Sequence, residues 1–149
     1  MKSVYENKMK LEFLSKSCNE SFARGAVGAF VSNLDPTIEE ISDIKTAVSE
    51  AVTNSIIHGY ENKEGIITIS CKIIDNSVEI QILDSGKGIE NIEDAKKPLY
   101  SSKPSLERSG MGFTIMENFM DSMQIESVVG IGTKVILKKI IKKEVPIKI

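Results

Sequence analysis

The chain has 149 residues, the length of one domain, and at 41% hydrophobic and 27% charged it has the composition of a globular protein rather than a disordered one. Its net charge of −2 argues against a general nucleic-acid binder and leaves protein partners and a charged small ligand open. Two cysteines, Cys18 and Cys71, with a single histidine, cannot complete a zinc site and read as reduced, partly buried thiols.

Met1–Lys10 is polar, with no apolar signal core, and no run approaches the length of a membrane span, so a cytoplasmic location is expected. Met9–Leu14 alternates and predicts a strand. Asn19 or Ser21 is a cap for a helix over about Phe22–Leu34, with a stripe of Phe22, Ala26, Ala29, Phe30 and Leu34; Asp35-Pro36 ends it. Thr37-Ile38-Glu39-Glu40 has the form of a capping box. It opens a second helix whose stripe is Ile41, Ile44, Val48, Ala51, Val52 and Ser55, with Gly59 as its stop.

Ile66–Ile74 and Val78–Leu83 predict a hairpin turning at Asp75-Asn76-Ser77. From Asp84 to Gly112 the period is lost, in a stretch too long for an idle connection and therefore expected to be a functional loop. Phe113–Met120 predicts a short helix. Ser122–Val129 and Thr133–Ile141 predict strands joined through Gly130-Ile131-Gly132. The order gives an α/β fold of the α+β type, a two-layer sandwich with a mixed, largely antiparallel sheet. The expected domain is 1–141, and 142–149 is a basic tail expected to fray.

Four short patterns carry chemistry. Glu50 and Asn54 share one helix face, where a carboxylate beside a carboxamide oxygen suits a general base next to a ligand for a hard cation. The bland alternative is a solvated face. Asp84-Ser85-Gly86-Lys87-Gly88 follows an apolar strand; its Asp can accept from an exocyclic amine, and its glycines admit a flat ring, unless it is a plain turn. Gly110-Met111-Gly112 before a helix suits phosphate, or is loop glycine. Gly130-Ile131-Gly132-Thr133 reads equally as a tight hairpin.

In this order and setting, the four patterns resemble the GHKL ATP-binding superfamily over about Met9–Ile141. Ser49-Glu50-Ala51-Val52-Thr53-Asn54 with Ile57-His58-Gly59-Tyr60, and the run from Lys103 to Asp121, are similar to the sporulation anti-sigma F factors, a family of serine protein kinases. The resemblance implies a Bergerat-type ATP-binding fold. It implies Glu50 as general base and Asn54 as the Mg²⁺ ligand. Asp84 would read the adenine amine, Gly86 and Gly88 would border the base, and Thr133 would line the adenine pocket. A lid would run over about Asn91–Ser109. Arg108 would neutralise charge on the transferring group, and Ser109, Gly110 and Gly112 would lie at the phosphates.

The implied cofactors are ATP or ADP with Mg²⁺. The implied partners are sigma F and an anti-anti-sigma protein phosphorylated on serine, with Arg24 as the contact to both. A homodimer is implied too, through sheet faces or edges, since a two-layer fold leaves one sheet face to be covered. Neither direct nucleic-acid binding nor membrane association is expected. The readings left beside this one are an ATP-binding anti-sigma module without catalysis and a related stress-response anti-sigma serine kinase.

Overall fold

The computed structural model describes residues 6–97 and 112–142. The strands are β1 (Glu6–Leu14), β2 (Ile66–Ile74), β3 (Ser77–Asp84), β4 (Ser122–Val128) and β5 (Gly132–Ile140); the helices are α1 (Cys18–Val31), α2 (Ile38–Asn54), α3 (Ile92–Ala95) and α4 (Gly112–Phe119). The strands form one sheet in the order β1-β2-β3-β5-β4. All four pairings are antiparallel, so the sheet of the described residues has no parallel component. Its two hairpins and the antiparallel β3–β5 pairing are the reason: every neighbour is reached by a reversal of direction.

Alternation along the strands places matched side chains in rungs across the sheet. Met9, Cys71, Ile80, Leu137 and Met123 lie side by side on the helix-covered face, and so do Leu11, Ile69, Ile82, Val135 and Ile125. The next rung is Phe13, Ile67, Asp84, Thr133 and Ser127. It begins apolar and turns polar at its middle strand, and that polar half is the floor of the site described below.

The opposite face carries Lys8, Lys72, Glu79, Lys138 and Ser122 in one rung and Lys10, Ser70, Gln81, Ile136 and Gln124 in the next. This face is mostly polar, but Leu14, Ile66, Ile74, Leu83 and Ile140 are exposed on it beside the charged residues.

The helices close the core from one side. Ala23, Val27 and Val31 of α1 and Ile44, Ala47, Val48, Ala51 and Val52 of α2 are buried, together with Met116 of α4. Of the stripe expected from sequence, Phe30 and Leu34 pack against the core, but the fully buried row is Ala23, Val27 and Val31, one residue on, and Phe22 is exposed. The helix also starts earlier, after Ser17, without a side-chain cap from Asn19 or Ser21. The small side chains of α1 let it approach α2 closely; a Cβ on Gly28 would lie 3.1 Å from Lys45 Cδ. Size at the contact, not the largest apolar residues, decides the buried face.

After a single 3-10 turn at Ser32–Leu34, Asp35 takes a left-handed conformation at φ 49° and ends the segment before Pro36. The capping box of α2 is formed: Thr37 Oγ1 accepts the Glu40 amide at 3.0 Å, and Glu40 Oε1 accepts the Thr37 amide at 2.9 Å. Glu40 Oε2 also accepts the Lys142 amide at 2.8 Å, so the residue expected to begin the tail is tied to α2. Residues 143–149 lie outside the described ones. Cys71 is buried and Cys18 exposed, both free thiols, in place of two partly buried ones. No helix among the described residues is long and apolar enough to cross a membrane.

Candidate functional site

The helix α2 does not end at Asn54 but widens into a π-helical turn, Ser55–Gly59, closed by the Tyr60 amide donating to Ser55 O at 2.9 Å. This turn wraps the end of β3. Ser55 Oγ donates to Asp84 Oδ2 at 2.8 Å, and the Gly86 amide donates to Asp84 Oδ1 at 3.0 Å. The Lys87 amide donates to Gly59 O at 2.9 Å, and a Cβ on Gly86 would collide with the Gly59 backbone. Glycine at position 86 is therefore the condition for the Asp84–Gly88 loop to press onto the π turn.

Gly88, at φ 79°, packs on the Val128 carbonyl, and Lys87 O accepts the Gly130 amide at 2.7 Å. The loop after β3 is thus clamped between the end of α2 and the β4–β5 hairpin. Asp84 is only 4% exposed. Burial pushes its carboxyl above the ordinary value, although the Gly86 amide, the Ser55 hydroxyl and the Thr133 amide each pull it down.

A cavity of about 350 Å³ opens over this floor. Asp84, Thr133 and Val135 of the sheet line it, with Ala51, Asn54 and Ser55 of the α2 face. Gly88, Ile89 and Asn91 form another wall, and Gly112 and Phe113 of α4 another. An apolar slot with a few polar groups at its base is the kind of site that holds a flat heterocycle. Asn91 caps the short α3 by accepting the Asp94 amide at 3.1 Å, an element not expected inside the long loop.

The sequence-derived residues fall into four groups. Asn54, Asp84, Gly88, Gly112 and Thr133 line the cavity. Glu50 and Gly86 stand directly behind it: a Cβ on Gly112 would lie 3.0 Å from Asn54 Nδ2 and 3.4 Å from Glu50 Oε2, so α4 begins against both side chains. Arg24 does not line the cavity; it lies on α1, paired with Glu20 at 3.6 Å. Arg108, Ser109 and Gly110 lie outside the described residues.

Sequence reasoning missed Ser55, His58 and Gly59 as parts of the site. Ser55 was legible as a hydroxyl at the end of an otherwise apolar stripe. The π turn that brings in His58 and Gly59 left no local signal.

Residues 19–139 match the family described as the histidine kinase-like ATPase domain. An anti-sigma F factor of Clostridium kluyveri is 64% identical over 137 residues, 92% of this chain and 96% of its own length. One from Clostridium botulinum, strain Alaska E43, is 66% identical over 137 residues, 91% of this chain and 96% of its own. Among solved structures, a Mycobacterium tuberculosis protein with RsbU and RsbW domains superposes with a TM-score of 0.66 at 17% identity, covering 91% of this chain and 32% of that one, a likeness of fold. With identity of 64% spread over 92% of its length, the chain belongs to the anti-sigma F factor family, built on the histidine kinase-like ATPase domain.

Proposed function

We propose that this chain is an ATP-dependent serine protein kinase that also acts as an anti-sigma factor, holding sigma F inactive as a homodimer and phosphorylating an anti-anti-sigma protein on serine. The observation that carries the catalytic part is the meeting of Glu50 and Asn54 with the first residue of α4 at a cavity whose floor is Asp84. The anti-sigma part rests on relatives of 61% to 66% identity, from several Clostridium species, that carry that name.

The residues present fit a Mg²⁺-nucleotide. Asn54 brings a neutral oxygen of the type a hard cation takes. Gly112 opens α4, where backbone amides lack intrahelical partners and favour an anion, and its missing Cβ leaves room beside the Asn54 side chain. When bound, the nucleotide supplies the phosphoryl group and the cation neutralises its charge. Glu50 takes the proton from the substrate serine hydroxyl onto a carboxylate oxygen. Asp84 orients the base by accepting from its amine, and Gly86 and Gly88 border it. Thr133 lines the base end. Arg108, Ser109 and Gly110 complete the phosphate end by family likeness, and Arg24 contacts both protein partners. The protein works in the cytoplasm.

Incubation with labelled ATP, Mg²⁺ and the cognate anti-anti-sigma protein tests this reading. Label on a serine of that protein is the expected result. Absence of label from a protein that still binds ATP and sigma F would leave the non-catalytic module as the function.

A further inference from the structure

The helices α2 and α4 lie side by side in opposite directions. At one end a Cβ on Gly112, the first residue of α4, would lie 3.0 Å from Asn54 Nδ2 and 3.4 Å from Glu50 Oε2. At the other end stands Lys139 of β5. It falls in the rung of Ile73 and Val78, both fully buried, so it is a charged residue on the covered face of the sheet. Its side chain is 12% exposed. Its Nζ donates to the carbonyl oxygen of Phe119, the last residue of α4, at 2.7 Å, and lies 3.8 Å from Asp43 Oδ2 of α2. A cation at a helix C-terminus satisfies a carbonyl that has no partner within the helix and complements the helix dipole.

Met116 of α4 and Met120 just after it are buried in the core. Apolar burial is not directional and methionine adapts to its surroundings, so these contacts hold α4 on the core without fixing where it stands along its own axis. A hydrogen bond is directional and does fix it. Among the described residues, the polar ties at this end are the Lys139–Phe119 bond and two made by Asp121. The Asp121 amide donates to Lys138 O at 2.9 Å, and its Oδ2 accepts the Ile140 amide at 2.7 Å. The Asp121 bonds reach β5 alone, whereas the Lys139 ammonium also reaches α2, the helix that carries Glu50 and Asn54.

We propose that Lys139 is a positioning residue for phosphoryl transfer, setting the axial position of α4 against α2 and through it the place of Gly112 beside Glu50 and Asn54. Asp43 and Asn54 lie about three turns apart on α2, or about 16 Å, so Lys139 acts through α4 and does not touch the reacting groups. The inference rests on the kinase reading above.

The test uses the full chain with Lys139→Met, Lys139→Arg, Asp43→Asn and, as a control of lowered stability, Thr37→Ala. Two quantities are read. One is the NMR signal of the Asn54 side-chain amide in the nucleotide-free protein. The other is kcat for serine phosphorylation, set beside the ATP Kd from calorimetry. Methionine keeps most of the lysine stem and removes its charge and donor. In Lys139→Met the Asn54 signal should shift and kcat should fall by about tenfold to a hundredfold, the scale of a misplaced reacting group, with ATP affinity within a few-fold of the parent. Lys139→Arg keeps a cation at the helix end and should restore both. Asp43→Asn should move both in the same direction by a smaller amount, and Thr37→Ala should move neither.

An unchanged Asn54 signal or an unchanged kcat in Lys139→Met, an equal loss in Lys139→Arg, or the same changes in Thr37→Ala overturns the inference while transfer by the parent stands. If Lys139→Met does not fold, Asp43→Asn decides, and no change there in either quantity overturns it. A parent that binds ATP and labels no serine overturns the kinase reading itself, and the inference with it.

Discussion

Asp84 carries two opposed demands in one carboxyl group. Its folded value is raised above the ordinary one chiefly by burial. The folded state therefore holds the proton more tightly than the unfolded chain, and stability falls as pH rises from the ordinary carboxyl range through the folded value. In Asp84→Asn the carboxamide oxygen still accepts from Gly86 and its amide still reaches Ser55. The nucleotide-free variant should melt above the parent at neutral pH, with the gap closing as pH falls through that range; a parent that melts higher at neutral pH would contradict this. The same substitution should weaken ATP binding and remove selectivity over GTP, read by titration with both nucleotides. Glu50→Gln should abolish serine phosphorylation and leave nucleotide affinity within a few-fold, since Glu50 meets the start of α4 from behind the cavity. Transfer at the parental rate would remove Glu50 as the base. The two thiols should separate cleanly. Burial pushes Cys71 up to about 12, whereas Cys18 is exposed, so iodoacetamide at mildly alkaline pH should label Cys18 in the native protein and Cys71 only after unfolding. Equal labelling, followed by mass spectrometry, would mean that the sheet opens readily.

Among the elements, α2 is where fold and site are coupled. Its first turn is fixed by Thr37 and Glu40, and its last by a π turn around Asp84. Thr37→Ala removes the cap and should cost about 1 kcal/mol in urea unfolding. Burial raises the Glu40 carboxyl, but the Thr37 and Lys142 amides, the Thr37 hydroxyl and the Lys139 charge outweigh it and leave it below its ordinary value. Its contribution is thus present above the ordinary carboxyl range and lost as pH falls through the folded value, the opposite sense to Asp84. The difference in stability between Glu40→Gln and the parent should shrink in acid. A difference that is flat with pH would point to packing rather than charge. The helix α1 lies against α2, and its Arg24 does not line the cavity. Arg24→Ala should lose binding to sigma F and to the anti-anti-sigma protein by about 1–4 kcal/mol and keep ATP affinity. Arg108→Ala should slow transfer by orders of magnitude with a smaller effect on ATP binding. Measured side by side, loss of ATP binding in Arg24→Ala with both partners retained would reverse that division of labour.

At the scale of the whole molecule, the sheet has one face in the core and one in water. The outer rungs are rich in Lys, Glu, Gln and Ser, with Leu14, Ile66, Ile74, Leu83 and Ile140 exposed among them. Family membership is what supports the homodimer, and the strands at the two edges, β1 and β4, are where unpaired backbone groups remain. Light scattering at micromolar concentration should give the dimer mass with ATP present; a monomer mass with and without ATP would contradict it.

The sequence by itself determined the order of the main elements, the capping box of α2 and the inward faces of the strands, and it singled out Asn54, Asp84, Gly88, Gly112 and Thr133, which line one cavity, because each depends on neighbours within a few residues. The period of two in Ile67, Ile69, Cys71 and Ile73 needs no partner to be read. Tertiary structure decided the rest. Which face of α1 is buried followed from the close approach to α2, which favours small residues over Phe22. The π turn exists because the end of α2 must wrap a carboxylate on a strand nearly thirty residues later in the chain, with Ser55 bonded to Asp84 at a separation of 29. The polar half of the third rung, Asp84, Thr133 and Ser127, joins three strands whose register is set only when the sheet assembles. No local pattern announces that these three polar residues lie side by side, because the rung is a property of contacts between strands and not of any one strand.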